Sequence, residues 1–175
     1  LPNLFIKKEQ KIYKQVAYFE RSMRMKIPEN NQYILFGGTF VLANKLQLVA
    51  DKKVHGLTTK QWFLLRNLSD LPADPPPTIT TLAKETDTSR QNVSKMLKVL
   101  QRQGYVLLEG NVEDQRSQSV VLTELGAQAL RQVAQEAVPF FAELFSGISE
   151  EECAVTAGVL LKLIKNLEKM QMEIG

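Results

Sequence analysis

The chain has 175 residues, 44% of them apolar and 23% charged, with a formal net charge of +3, which suits one compact globular domain with appendages or two small lobes. Its single cysteine, Cys153, excludes an intrachain disulfide and fits a reducing cytoplasm. The most apolar stretch, Tyr33 to Ala43, is short for a membrane span and broken by Gly37-Gly38, and Leu1-Pro2-Asn3 opens without a charged leader, so neither an anchor nor an export signal is expected.

Charge is unevenly spread. Residues 1–122 carry 18 Lys and Arg against 11 Asp and Glu, whereas residues 123–175 carry 4 against 8. The basic portion suits a polyanion. From the start, Ile12, Val16, Phe19 and Met23 fall on one helical face, and Lys7, Lys8, Lys11 and Lys14 lie in the first half of that segment. Residues 1–31 therefore read as an extension with an extra helix, most plainly amphipathic packing and more sharply a basic arm on DNA or another protein. Pro28 to Asn31 ends it, and residues 32–56 are expected to form a helix with Leu35, Leu42, Leu46 and Val49 inward.

Thr58-Thr59-Lys60-Gln61 has the pattern of a capping box, opening a helix that buries Trp62, Leu65 and Leu68. Leu71 to Pro77 is a stiff connector, because successive prolines lack donors and clash with a preceding turn. Thr78-Ile79-Thr80 reads as a minimal strand, and a helix is expected from Thr80 or Thr81. Asp87 supplies a turn, since Asp tolerates a left-handed backbone. Thr88-x-x-Gln91 reads as a second capping box, opening a helix to Gln103 that Gly104 stops. Tyr105–Glu109 and Ser119–Thr123 read as strands of a hairpin. Beyond them, residues 124–175 give a helix interrupted at Pro139 and a last helix capped by Ser149 to Glu152, with Val155, Val159, Leu163 and Leu167 on one face.

The middle of the chain carries the chemistry. Ala83, Asp87 and Val93 occupy the close crossing, the turn and the apolar anchor of a helix-turn-helix, with Leu82, Met96, Leu97 and Leu100 as shared core. An ordinary helical hairpin has the same pattern, but the second helix begins with Ser89, Arg90, Gln91, Asn92 and Lys95, where base edges are read in this docking mode. Arg pairs with guanine, and Asn or Gln with adenine, through two hydrogen bonds each. Ser94, Lys98 and Arg102 suit phosphates. Double-stranded DNA is the expected partner.

With Gly56-Leu57-Thr58-x-x-Gln61-Trp62, Ser89-Arg90-Gln91-Asn92-Val93, Gln103-Gly104-Tyr105-Val106, Asp114-x-Arg116 and Leu122-Thr123-x-x-Gly126 in this order, the chain from about Gln32 to its end resembles the MarR-type winged-helix transcription regulators. The resemblance implies a mainly α fold with a small β-hairpin wing: a winged helix-turn-helix lobe at 57–123 and a dimerisation region built from 32–56 and 124–175. It implies a homodimer on a near-palindromic operator, often relieved by a small-molecule effector or by oxidation, with a repressor expected and activation left open. It also places the helix from Thr88 in the major groove and Arg116 on the wing, with Asp114 shaping the wing. Gln115, Ser117 and Gln118 surround Arg116 where members often carry further cations, so the helix is expected to supply most of the affinity.

Phe36, Phe40, Trp62 and Phe63 are candidates for a ligand pocket, with core packing the plainer reading of aromatics at this spacing. Cys153 lies in the last helix, whereas the family's peroxide-sensing cysteine lies near the start, so it reads as a small core residue. His55, the only histidine, forms no ligand cluster, and no metal or cofactor is expected. No nucleophile–base set or phosphate loop points to catalysis. The competing class is a winged-helix protein-interaction module with weak or no DNA binding, suggested by the sparse wing.

Overall fold

The computed structural model describes residues 31–53, 56–110 and 118–174. In chain order these form α1 (Asn31–Lys53), α2 (Thr59–Asp70), α3 (Ile79–Glu85), α4 (Arg90–Arg102), β1 (Val106–Gly110), β2 (Gln118–Leu122), α5 (Glu124–Leu144) and α6 (Glu150–Ile174). The fold is mainly α with one antiparallel hairpin, in the winged-helix order the sequence implied. The chain divides into two compact units, one up to Val133 and one from Ala134, so the break falls within α5. The extension before Asn31, with Lys7, Lys8, Lys11 and Lys14, and His55 lie outside the described residues.

The first unit has a single leucine-rich core. Leu64, Leu65 and Leu68 of α2, Ile79, Leu82 and Ala83 of α3, Val93, Leu97 and Leu100 of α4, Val106 of β1 and Val120 of β2 are all buried. Each such Leu is worth roughly 1.5–3 kcal/mol over an exposed one. Trp62, expected in this core, is half-buried. The inward arc of α2 centres on Leu65 and Leu68, with Leu64 at one edge and Trp62 at the other.

Caps set the start of α2. Thr58 Oγ1 accepts from Gln61 N at 3.3 Å, and Thr58 N donates to Gln61 Oε1 at 2.9 Å, the reciprocal box expected from the sequence. Asp51 adds a staple from the end of α1, since Thr59 N and Thr59 Oγ1 both donate to its Oδ1 at 2.6 Å. Thr58→Ala is expected to cost about 1 kcal/mol and to lower Tm by roughly 2–4 °C, with Thr58→Ser close to wild type. An unchanged melting curve for Thr58→Ala would show that the cap contributes nothing.

The connector meets the sheet through the carbonyl of its last proline. Pro77 O accepts from Val120 N at 2.8 Å, and Thr78 makes a single antiparallel bridge to Ser119. The strand expected over Thr78–Thr80 is thus one residue, because Thr78 is also the N-cap of α3, accepting from Thr81 N at 3.1 Å. The helix accordingly starts at Ile79, before the expected Thr80 or Thr81.

β1 and β2 each lie one residue from their expected spans, pairing Val106 with Leu122 through to Gly110 with Gln118. Tyr105 is taken up by the end of α4, and Thr123 by the start of α5. Pro139 lies inside α5 without interrupting it. Both Pro139 and Gln135, whose carbonyl loses its helical partner, are exposed, so water can serve that oxygen. At the base of α5, the hydrogen bond from Arg131 to Glu124 Oε1, 2.7 Å, and its charge hold that carboxyl below its usual pKa. A lowered carboxylate pKa stabilises above the ordinary Glu value and ceases to do so as pH falls through the lowered one.

Ser149 and Glu152 cap α6 reciprocally: Ser149 N donates to Glu152 Oε2 at 2.8 Å, and Glu152 N donates to Ser149 Oγ at 3.2 Å. Glu150, Glu151 and Glu152 then face the positive end of the helix dipole. Neither α1 nor α6 buries a residue within the chain. Leu42, expected to point inward, is 53% exposed, and Val155 and Leu167 on the apolar face of α6 are 64% and 59% exposed, so both helices present apolar surface. By length and mean hydropathy, α1 would also reach across a bilayer, contrary to the reading of its apolar stretch as too short. The helix runs unbroken through Gly37-Gly38, although Asn44, Lys45 and Gln47 lie in its second half.

Candidate nucleic-acid interface

α3 and α4 meet at a tight turn that the sequence dictates residue by residue. Thr86 N and Thr86 Oγ1 both donate to Leu82 O, at 3.0 and 2.6 Å, which closes α3. Asp87 takes a left-handed backbone with φ 47°. Thr88 N then returns to Ala83 O at 3.0 Å. Ala83 is buried at this crossing and Val93 fully buried beyond it, so the three helix-turn-helix positions hold the places assigned to them.

The cap of α4 differs from expectation by one residue. Ser89, not Thr88, is the N-cap, its hydroxyl accepting from Asn92 N at 3.3 Å. Thr88 is engaged in the turn, donating through Oγ1 to Thr86 O at 3.2 Å. The helix therefore runs Arg90–Arg102, starting two residues after Thr88 and stopping one before Gln103. Ser89 is on this account a structural cap first.

At 100° per residue, buried Val93, Leu97 and Leu100 define one face of α4, and Gln91, Lys95, Lys98 and Arg102 line the face opposite. All four of these are exposed. Arg102 Nε donates to Lys98 O at 3.3 Å, which holds its guanidinium back along that stripe. Arg90 is exposed at the first helical position, and exposed Asn92 stands about a quarter turn off the stripe. Ser94 is half-buried on the opposite flank. The helix carries Arg90, Lys95, Lys98 and Arg102 and no carboxylate, a positive rod about 20 Å long at 1.5 Å per residue. A convex cationic face of this width, with amide side chains among the cations, has the chemistry to hold phosphates and read base edges together.

The two strands bracket residues 111–117, which hold Asp114 and Arg116 and lie outside the described residues. The aromatic candidates for a ligand pocket all lie in the first unit. Phe36 and Phe40 are 70% and 61% exposed, packed edge to face on each other with ring centroids 5.4 Å apart. Phe63 is exposed and Trp62 half-buried. An open groove of about 740 Å³ lies between Pro72 and Pro75–Pro77 of the connector and Glu109–Gly110 of β1, and contains none of those aromatics. Cys153 sits half-buried in the first turn of α6, its N–H donating to Ser149 O at 3.0 Å.

These features coincide with those of known proteins. A sequence profile described as the MarR family matches residues 55–117. The transcriptional activatory protein BadR of Rhodopseudomonas palustris is 28% identical over 139 residues, 78% of this chain and 79% of its own. A MarR family transcriptional regulator from Streptomyces coelicolor, solved in complex with DNA, superposes with a TM-score of 0.68 at 21% identity, covering 82% of this chain and 92% of that one. The PcaV transcriptional regulator of the same organism, solved with its natural ligand, gives 0.65 at 16% identity, covering 81% and 98%. The profile lies on the helix-turn-helix and the shared fold extends over the flanking helices, so the chain is similar to the MarR family of winged-helix transcription regulators.

Proposed function

We propose that this chain works as a homodimer that places two copies of α4 in successive major grooves of a near-palindromic operator. The observation that carries the reading is the α4 stripe, with cations and amides directly opposite buried Val93, Leu97 and Leu100. Arg90, Gln91 and Asn92 are assigned to base edges, with Ser89 beside them as cap. Ser94, Lys95, Lys98 and Arg102 are assigned to phosphates, and Arg116 to the minor groove from the wing. No catalytic step is assigned. The cytoplasm, where bacterial promoters lie, is the assigned compartment.

The dimer reading rests on the uncovered apolar faces of α1 and α6, since soluble proteins rarely leave such contiguous surface to water. A second copy covers them at their full length, and this also accounts for the bilayer-length apolar run of α1. Effector control follows the precedent of PcaV, which was solved with a ligand. Phe36, Phe40, Trp62 and Phe63 are the proposed lining of that site once a partner copy closes over them. Trp62, the only tryptophan, gives a direct fluorescence readout.

Sedimentation without detergent tests the assembly. A dimer is expected for the wild type, and Leu163→Glu with Leu167→Glu is expected to give folded monomers that bind a full operator no better than a single half-site. A wild-type chain that sediments as a monomer, or that stays with membranes after a salt wash, would overturn the homodimer. An effector that quenches Trp62 and releases DNA supports the ligand assignment, and one that releases DNA with unchanged Trp62 emission removes it.

A further inference from the structure

Asp51 stands against the preference of its own helix. The last turn of α1 carries Lys52 and Lys53, as the negative end of a helix dipole favours, and a carboxylate there is disfavoured. Its charge is answered from another helix. Asp51 Oδ1 accepts from Thr59 N and from Thr59 Oγ1, both at 2.6 Å. Thr59 is the first residue of α2, and its N–H is one of the amides that a helix start leaves without an internal acceptor. The carboxylate that the end of α1 repels thus meets the positive end of α2.

The surroundings give this contact its leverage. α1 buries no residue within the chain, and among the described elements α2 is the one it packs against most closely. Residues 54–58 join the two helices. Leu57 is buried, and Gly56 before it takes a φ of 91°, a left-handed backbone that glycine adopts freely. Gly56 therefore stands as a pivot between α1 and the lobe. Two bonds that converge on one oxygen from the amide and hydroxyl of one residue define a direction as well as a distance, which a single bond does not. Both helices belong to the first compact unit, so their angle is a property of that unit alone.

We propose that Asp51 is a positioning residue: through Thr59 it fixes the angle at which α1 carries the winged lobe, so that a dimer joined along α1 presents both copies of α4 to one operator. The inference rests on the homodimer and paired half-site reading above. Asp51 touches no DNA on this account. With the clamp open, each lobe swings about Gly56, and binding at one half-site does less to place the second lobe. The effective concentration for the second contact then falls.

The test titrates the full chain against duplexes carrying two half-sites of the selected operator or one. Wild type and Thr59→Ser are expected to prefer two half-sites over one by about a hundredfold. Asp51→Ala is expected to retain a preference of about tenfold, with affinity for one half-site unchanged. Asp51→Asn falls between, since an amide oxygen accepts the same bonds without the charge. Thr58→Ala is the control, because it removes the capping box of α2 and leaves Asp51 and Thr59 in place: its Tm falls while its preference for two half-sites stands. An Asp51→Ala protein that keeps the wild-type preference overturns the clamp, and so does a loss that Thr58→Ala reproduces. Should Asp51→Ala lose its helical circular dichroism, Thr59→Val decides, since it keeps the amide bond and drops the hydroxyl one. A reduced preference there supports the clamp, and a retained one overturns it. An Asp51→Ala protein that sediments as a monomer would overturn positioning in favour of a role in assembly. A wild type that binds one half-site as tightly as two overturns the paired half-site reading and the clamp with it.

Discussion

Arg90→Ala and Gln91→Ala are each expected to weaken operator binding by about 1–3 kcal/mol and to relax the requirement at one base position. The reason is geometric. Gln91 lies on the axis of the face opposite Val93 and Leu97, and Arg90 is exposed at the N-terminal end of α4, the end that meets base edges in this docking mode. Asn92→Ala is expected to lose less than Gln91→Ala, because Asn92 stands about a quarter turn from that axis. Lys98→Ala should behave differently again, weakening all sequences alike and reducing the salt slope by about one. Titrations of each variant against the selected site and single-base variants distinguish these patterns. Unchanged affinity for Arg90→Ala and Gln91→Ala together would move the reading face elsewhere on the molecule.

Leu97→Ala carries the largest expected effect on stability, about 2–5 kcal/mol. Leu97 is fully buried on the core face of α4, with Val93 and Leu100. It projects from the core side of α4, so its truncation leaves the exposed stripe of Gln91, Lys95, Lys98 and Arg102 chemically intact. At roughly 2–4 °C per kcal/mol for a chain of this size, thermal denaturation should show a large fall in Tm. DNA binding should persist well below the transition and vanish through it. A Leu97→Ala protein that melts like wild type would mean that the shared core is not where the structure places it.

Much of the fold was legible because its signals are local. The boxes at Thr58 with Gln61 and at Ser149 with Glu152 need only three residues of context, and Asp87 announced its own left-handed turn. Thr88 and Ser89 show where locality ends. Either hydroxyl can cap, and the choice fell to Ser89 because Thr88 is drawn to Thr86 O. Pro139 was read as a break on covalent grounds, yet an exposed helix tolerates one orphaned carbonyl. The inward face assigned to α1 could not be told from a seam by reading one chain, since the pattern of Leu42 is the same whether a core or a second copy covers it.

The candidate site divides the same way. Helical spacing sufficed to set Gln91, Lys95 and Lys98 opposite Val93 and Leu97, which is why the exposed polar stripe was readable before the fold. The family pattern brought Thr123 and Gly126 to notice but gave them no task. Their packing depends on a bond from Thr123 to Gly104 across 19 positions and on the carbonyl of Tyr105 lying against Gly126, neither of which periodicity encodes. The aromatic set was chosen on residue type and spacing, and neither reports that Phe36 and Phe40 project outward from α1 in a single chain.

The most direct measurement is selection of genomic DNA fragments by the purified chain, with sequencing of what is retained, at low and near-physiological salt. The expected result is a near-palindromic site with half-sites about 34–36 Å apart centre to centre, whose affinity falls steeply as salt rises. Absence of any enriched sequence at either salt, in protein cleared of bound small molecules, would contradict operator recognition by α4 and leave the winged helix as a protein-interaction module.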